Sequence, residues 1–328
     1  MSIHINKPGL QDTLQDAGRY GYQHLGINPG GAMDTIAMRI ANALVGNESN
    51  KTVLEMHFPA ATLLFERTML IALAGADFTA SVNGEEIPLL HPVLIREGSV
   101  LQFGKKQKGS RIYLATESGF VADDWLHSSS THLSLKAGGY KGRALRVNDR
   151  IQSVKEQPYD FTEKEHVFEI FPWQAKVTDL YTQDGFRFIP GNEFALLSES
   201  SKNLIADTFF TINRNSDRMG YRLQGEALQL RLPKEMISSA VTRGTMQLLP
   251  DGQMIILMAD HQTTGGYPRV GHIISADIPS LAQMGPGDSF HLQSVTIEEA
   301  EAILYRQEMN LQQLQNACNF RLQQYLNS

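Results

Sequence analysis

The chain has 328 residues, 42% of them hydrophobic, and a formal net charge of −6 from 29 Lys plus Arg against 35 Asp plus Glu. That length suits two domains better than one core, and the negative balance argues against nucleic acid or an anionic membrane surface as partner. No window approaches the ~18 uninterrupted apolar residues of a membrane span. The opening Met1-Ser2-Ile3-His4 lacks the apolar run of a secretion signal, and the single Cys318 excludes an intrachain disulfide and a cysteine-built zinc site. The expected setting is the cytoplasm.

In chain order, Ile3-His4-Ile5 reads as a short strand and Lys7-Pro8-Gly9-Leu10 as a turn. Residues 34–45 read as a helix: Asp34 caps it, Ile36, Ile40, Ala43 and Leu44 share a face, and Gly46 stops it. From Thr52 to Gly104 the pattern changes to short strands with turn signals, including Val82-Asn83-Gly84-Glu85. The polar stretch 155–165, with Pro158, reads as a linker, which divides the chain into 1–155 and 156–328. The second half is again strand-rich. From Thr296 a capping box, Thr296-Ile297-Glu298-Glu299, opens an amphipathic helix over 296–326 that is expected to pack on the second domain.

The two halves echo each other. Arg19-Tyr20-Gly21-Tyr22…Gly26 matches Arg218-Met219-Gly220-Tyr221…Gly225 at the same offset, and two further pairs follow in the same order. Two copies of one β-rich unit are expected.

The stretch that gathers the most chemistry is Asp260-His261-Gln262-Thr263-Thr264-Gly265-Gly266-Tyr267-Pro268, which follows the apolar run 254–259. A carboxylate, an amide and two hydroxyls emerge where a buried strand ends, beside glycines that allow a sharp turn or a close approach to a ligand. Its alternative is a hairpin turn whose polar groups satisfy backbone atoms. Arg218 is a guanidinium suited to clamping a carboxylate, or else half of an Arg–Asp pair that pins a turn. Gln247 adds an amide just before a strand. The ten histidines show no metal spacing, and neither a nucleophile elbow nor a phosphate loop is present.

The motifs Thr13-Leu14-Gln15-Asp16-Ala17-Gly18-Arg19-Tyr20-Gly21-Tyr22, Ala74-Gly75-Ala76-Asp77, Ser216-Asp217-Arg218-Met219-Gly220-Tyr221-Arg222 and the 260–268 stretch run across nearly the whole chain in order. Together they resemble the allophanate-hydrolase-subunit-2, or biotin-dependent carboxyltransferase, family, which includes the C-type subunit of 5-oxoprolinase. The resemblance implies a mainly β protein of two tandem cyclophilin-like β-barrels, with a few short helices and the C-terminal amphipathic helix. It implies a subunit-1-type partner (the B-type subunit of 5-oxoprolinase) and a third 5-oxoprolinase subunit, a complex opening 5-oxoproline to glutamate with ATP, and a small lactam or amide substrate. Two other roles occur among relatives: a regulatory protein that sequesters a kinase inhibitor, and a urea- or allophanate-type hydrolase or carboxyltransferase subunit. The resemblance implies ATP at the level of the complex; no biotin-acceptor Met-Lys-Met is present, so biotin is not expected on this chain. The family's Gly-Gly-Ile and Gly-Ser-x-Ser-Thr stand here as Ser118-Gly119-Phe120 and His127-Ser128-Ser129-Ser130-Thr131, so the site is expected in the second half. It comprises Asp260 as base or orienter, Arg218 as carboxylate clamp, and Tyr221, Gln247, Gln262, Thr263, Thr264, Gly265, Gly266 and Tyr267 around the substrate.

Overall fold

The computed structural model describes residues 2–154, 166–182, 185–232 and 236–327. The expected linker, 155–165, lies outside the described residues. The protein is mainly β, with four α-helices among those residues: α1 (Thr35–Leu44), α2 (Glu199–Asp207), α3 (Ile278–Ala282) and α4 (Ile297–Leu326).

The chain forms two compact units. The first comprises Met1–Gly18, Asp34–Thr178 and Asn310–Ser328, the second Arg19–Met33 and Asp179–Met309. Residues 19–33 therefore group with the second half of the chain, and α4 divides at Met309.

Two six-stranded sheets build the first unit. One is centred on Ser2–Lys7, Thr62–Phe65 and Val100–Phe103, the other on Met69–Asp77 between Pro92–Ile95 and Lys108–Thr116. Ile3, Ile5, Leu63, Phe65, Ile71 and Ile112 fill the core from alternate strand positions. In α1, the Asp34 carboxylate accepts from the Ala37 N–H at 2.9 Å, and the chain leaves through Gly46 at φ 75°, as the cap and stop residues require. Leu322 Cδ2 lies 2.6 Å from where a Cβ on Gly46 would sit, and Tyr325 stacks on Phe171 with ring centroids 4.4 Å apart. The far half of α4 thus packs on the first unit, where packing on the second domain was expected: the apolar seam of 318–325 meets Gly46 and Phe171. Its start is as read, with Thr296 N–H donating to Glu299 and the Glu299 N–H to Thr296 Oγ1. In the departing serine loop, Ser128 Oγ and the Ser129 N–H each donate to the Asp16 carboxylate at 2.7 Å. Those serines fasten a carboxylate rather than opening a cleft.

The Lys7-Pro8-Gly9-Leu10 turn encloses a buried acid. A Cβ on Gly9 would lie 2.5 Å from the Pro59 carbonyl and 2.6 Å from Asp12 Oδ1. Asp12 is 1% exposed, Oδ1 has no hydrogen-bond partner, and burial pushes the carboxyl up to about 7. Between an unfolded value of about 3.9 and that folded value, the native state holds a proton that the unfolded chain has lost. Stability is therefore expected to fall as pH rises through this window, by about 1.4 kcal/mol per pH unit. Asp12→Asn keeps the acceptor for Gly9 N–H and should remove the slope, unfolding later than the native chain at pH 8. A native chain whose urea midpoint matches Asp12→Asn at pH 8 would contradict this.

In the second unit an eight-stranded sheet runs in the order Ser289–Phe290, Phe210–Ile212, Gly220–Gln224, Met254–Leu257, Thr245–Leu248, Arg269–Ile273, Phe186–Pro190, Leu292–Ser294. A short ribbon, Ser239–Ala240 with Thr264–Gly265, stands beside it. Tyr221, Leu223, Met246 and Ile256 point to the core face, which leaves alternate residues of the same strands on the other face. The first part of α4 packs through Ala300, Ile303 and Leu304 on Ile274 and Ala276.

Candidate functional site

Parity along three neighbouring strands creates the site. Arg222 pairs with Ile255 and Ile255 with Gln247, and directly paired antiparallel residues project to one face. A guanidinium, an apolar floor and an amide therefore stand in a row across the sheet. Arg222 and Gln247 are two strands apart, about 10 Å between backbones. Gly220 belongs to the same face, where a Cβ would lie 2.7 Å from Ile255 Cδ1; the missing side chain leaves room for that floor. The register between 245–248 and 269–273 shifts at Met246/Gln247, a bulge of the kind that re-aims a side chain.

A cavity of about 590 Å³ opens over this row, within the range of small-molecule sites. Gln247, Gln262, Tyr267, Arg222, Asn215, Asp217 and Asp251 supply its polar walls. Gln247 is 1% exposed, and its Nε2 has no hydrogen-bond partner. A buried donor left unpaired costs about 1–3 kcal/mol, a cost that an acceptor entering the cavity would relieve. Among the described residues no carboxylate pairs with the Arg222 guanidinium.

Three of the ten expected site residues, Gln247, Gln262 and Tyr267, line this cavity. Arg218 and Asp260 meet each other instead. Arg218 Nε donates to Asp260 Oδ2 at 2.8 Å and Nη2 to Oδ1 at 3.1 Å, and Nη2 also donates to the Gly31 carbonyl at 2.7 Å. The arginine side chain is 5% exposed and the carboxylate 17%. This is the Arg–Asp alternative left open by the sequence, with Asp260 as the partner. The Asp217 carboxylate caps its own turn, accepting from the Met219 and Gly220 N–H groups at 2.8 and 3.3 Å. Tyr221 is buried in the core and donates to the Met284 carbonyl at 3.2 Å. Thr264 and Gly265 pair with Ser239 and Ala240, Thr263 accepts from the Val241 N–H through its carbonyl, and Gly266 lies beside Ser238. His261 Nδ1 lies 2.6 Å from the Gln262 carbonyl, and burial pulls its pKa down, keeping the ring neutral.

Sequence reading missed Arg222, Asn215 and Asp217. The signal for Arg222 was present: Tyr221 and Leu223 are apolar neighbours in a strand, so Arg222 between them must face away from the core.

Gly265 shapes the amide pocket, since a Cβ there would lie 2.4 Å from Gln247 Nε2. That nitrogen ends a flexible side chain, so Gly265→Ala should fold while displacing the amide. Binding of an amide ligand in the cavity is expected to weaken about tenfold, ~1.4 kcal/mol, with the melting temperature nearly unchanged. Calorimetric titration alongside a melting curve checks both.

Among the described residues no three His, Cys, Asp or Glu side chains are placed to hold a metal ion, and no helix is long and apolar enough to cross a membrane.

Comparison with known proteins agrees across the chain. It is 34% identical to the 5-oxoprolinase C-type subunit of Haemophilus influenzae, over 92% of this chain and 94% of that one. It is also 34% identical to the corresponding 5-oxoprolinase component of Escherichia coli, over 95% and 97%. Urea amidolyase of Saccharomyces cerevisiae matches at 26%, over 95% of this chain and 18% of its own length. The K. lactis urea amidolyase structure shares the fold, with a TM-score of 0.87 at 24% identity over 95% of this chain and 20% of that one. The TTHA0988 crystal structure gives a TM-score of 0.73 at 29% identity, over 89% of this chain and 56% of that one. Residues 25–294 match the carboxyltransferase domain, subdomain A and B, and the chain belongs to that family.

Proposed function

We propose that this chain is a subunit of an ATP-dependent 5-oxoprolinase complex and that the cavity over Arg222, Ile255 and Gln247 takes the lactam. The observation that carries the placement is the buried, unpartnered Nε2 of Gln247 in the cavity wall. The names of the 34%-identical relatives, matched over nearly their full length, support the assignment.

In this reading the lactam ring lies on Ile255. Gln247 Nε2–H donates to the ring carbonyl, whose oxygen gathers negative charge as the amide is attacked. A donor already desolvated in the cavity wall stabilises that charge once the ring carbonyl reaches it. Arg222 meets the substrate carboxylate from the exposed side, with geometry suited to two parallel hydrogen bonds. Gln262 and Tyr267 close the rim. Arg218 and Asp260 hold the segment leading into 260–268 in place and act through it. ATP, bound within the complex, supplies the driving force for opening the amide. The partners in this reading are the B-type component of 5-oxoprolinase and a third component.

The test is ATP-dependent glutamate formation from 5-oxoproline by this protein mixed with its two partner proteins, each omitted in turn. Activity that needs this chain supports the reading. An assembled but silent mixture favours a regulatory role for the chain, or a urea-like amide as substrate.

A further inference from the structure

A second cavity, of about 530 Å³, adjoins the first, and both are lined by Asn215, Arg222, Leu249 and Asp251. Arg222 is therefore the midpoint of a longer groove and not the end wall of a small pocket. Beyond it Asn213, Gln224 and Gln253 add further amides beside the shared Asp251 carboxylate, while Gly225 brings no side chain. Gln253 is already committed, since its amide exchanges hydrogen bonds with the Gly225 backbone at 3.1 and 3.2 Å. Gln224 lies on the exposed face of its strand, two residues beyond Arg222 and on the same side.

A single bare lactam acid leaves the second cavity unused. Neutral amides beside one carboxylate match the alternating N–H and C=O groups of a peptide-like chain, each residue of which extends by about 3.3–3.6 Å. From these observations we infer that the groove accepts lactams extended through their carboxyl group by a short peptide-like amide chain: the ring carbonyl on Gln247, the first chain carbonyl on Arg222, the remainder in the second cavity. This rests on the placement of the lactam at Gln247 given above.

The experiment is isothermal titration of the full chain with 5-oxoproline, with 5-oxoprolyl-alanine and with 5-oxoprolyl-alanyl-alanine. The extended compounds are expected to bind at least about tenfold more tightly than 5-oxoproline, which corresponds to ~1.4 kcal/mol. Gln224→Trp, which fills the second cavity from an exposed position, should abolish that gain and leave 5-oxoproline binding as it was. Extended compounds that bind no better than 5-oxoproline would overturn the inference, as would a gain that survives Gln224→Trp. Failure of 5-oxoproline itself to bind overturns instead the placement of the lactam, and the extension falls with it.

Discussion

Arg218→Ala is expected to destabilise the fold by about 3–5 kcal/mol, because it removes one partner of a buried ion pair and strands the other. The loss has two parts. Asp260 would lose both hydrogen bonds from the guanidinium, and the Gly31 carbonyl would lose its donor. Because the Asp260 side chain keeps 17% exposure, water compensates part of the loss, which places the effect toward the lower end of that range. In calorimetry the melting temperature should fall by on the order of 10 °C. Arg218→Ala combined with Asp260→Ala should recover part of the difference, since the stranded charge is then gone. Arg218→Lys should fall between, retaining a charge but not the two-pronged geometry. If Arg218→Ala melts with the native protein yet no longer binds ligand, the arginine faces the ligand after all, and the pairing reading is wrong.

The Arg218–Asp260 pair also marks the limit of what the sequence could disclose. The strand classes, the Asp34 cap, the Gly46 stop and the Thr296 capping box were legible because each is local: a few residues and their hydrogen-bonding habits decide them. The stretch 260–268 is chemically dense, yet part of it is spent on its own architecture. Thr264 and Gly265 sit in a two-stranded ribbon, and Asp260 is spent on Arg218. Deciding between Arg218 and Arg222 needed the register of strand 220–224 against 254–257, a long-range fact. Strand parity alone would have turned Arg222 outward, but not over Ile255 and toward Gln247. The membership of 19–33 was equally hidden. Those residues echo 218–225 in sequence, but they form no strand and group with the second unit. Arg243 donates to the Ala32 carbonyl at 3.2 Å and also to that of Met33. Such side-chain-to-backbone ties across some two hundred residues leave no local trace.

Gln247→Leu is expected to move stability and function in opposite directions. The native amide is buried with Nε2 unpaired, so the folded protein carries a desolvation cost of about 1–3 kcal/mol with no compensating hydrogen bond. Leucine fills nearly the same volume with nothing to satisfy, and the melting temperature should hold or rise. In the proposed reading the same change removes the donor to the lactam carbonyl. Losing a preorganised donor to a developing oxyanion typically costs about a hundredfold or more in kcat, and the complex should lose glutamate formation by that factor. Substrate binding should weaken less than turnover, because the hydrogen bond strengthens as charge builds on the oxygen. Gln247→Glu separates shape from donation: it retains length and an oxygen but presents a carboxylate where a donor is needed, and should be as inactive as leucine and less stable. A leucine variant that is both destabilised and fully active would show that Nε2 meets a structural partner, and the cavity over Ile255 would lose its claim to the substrate.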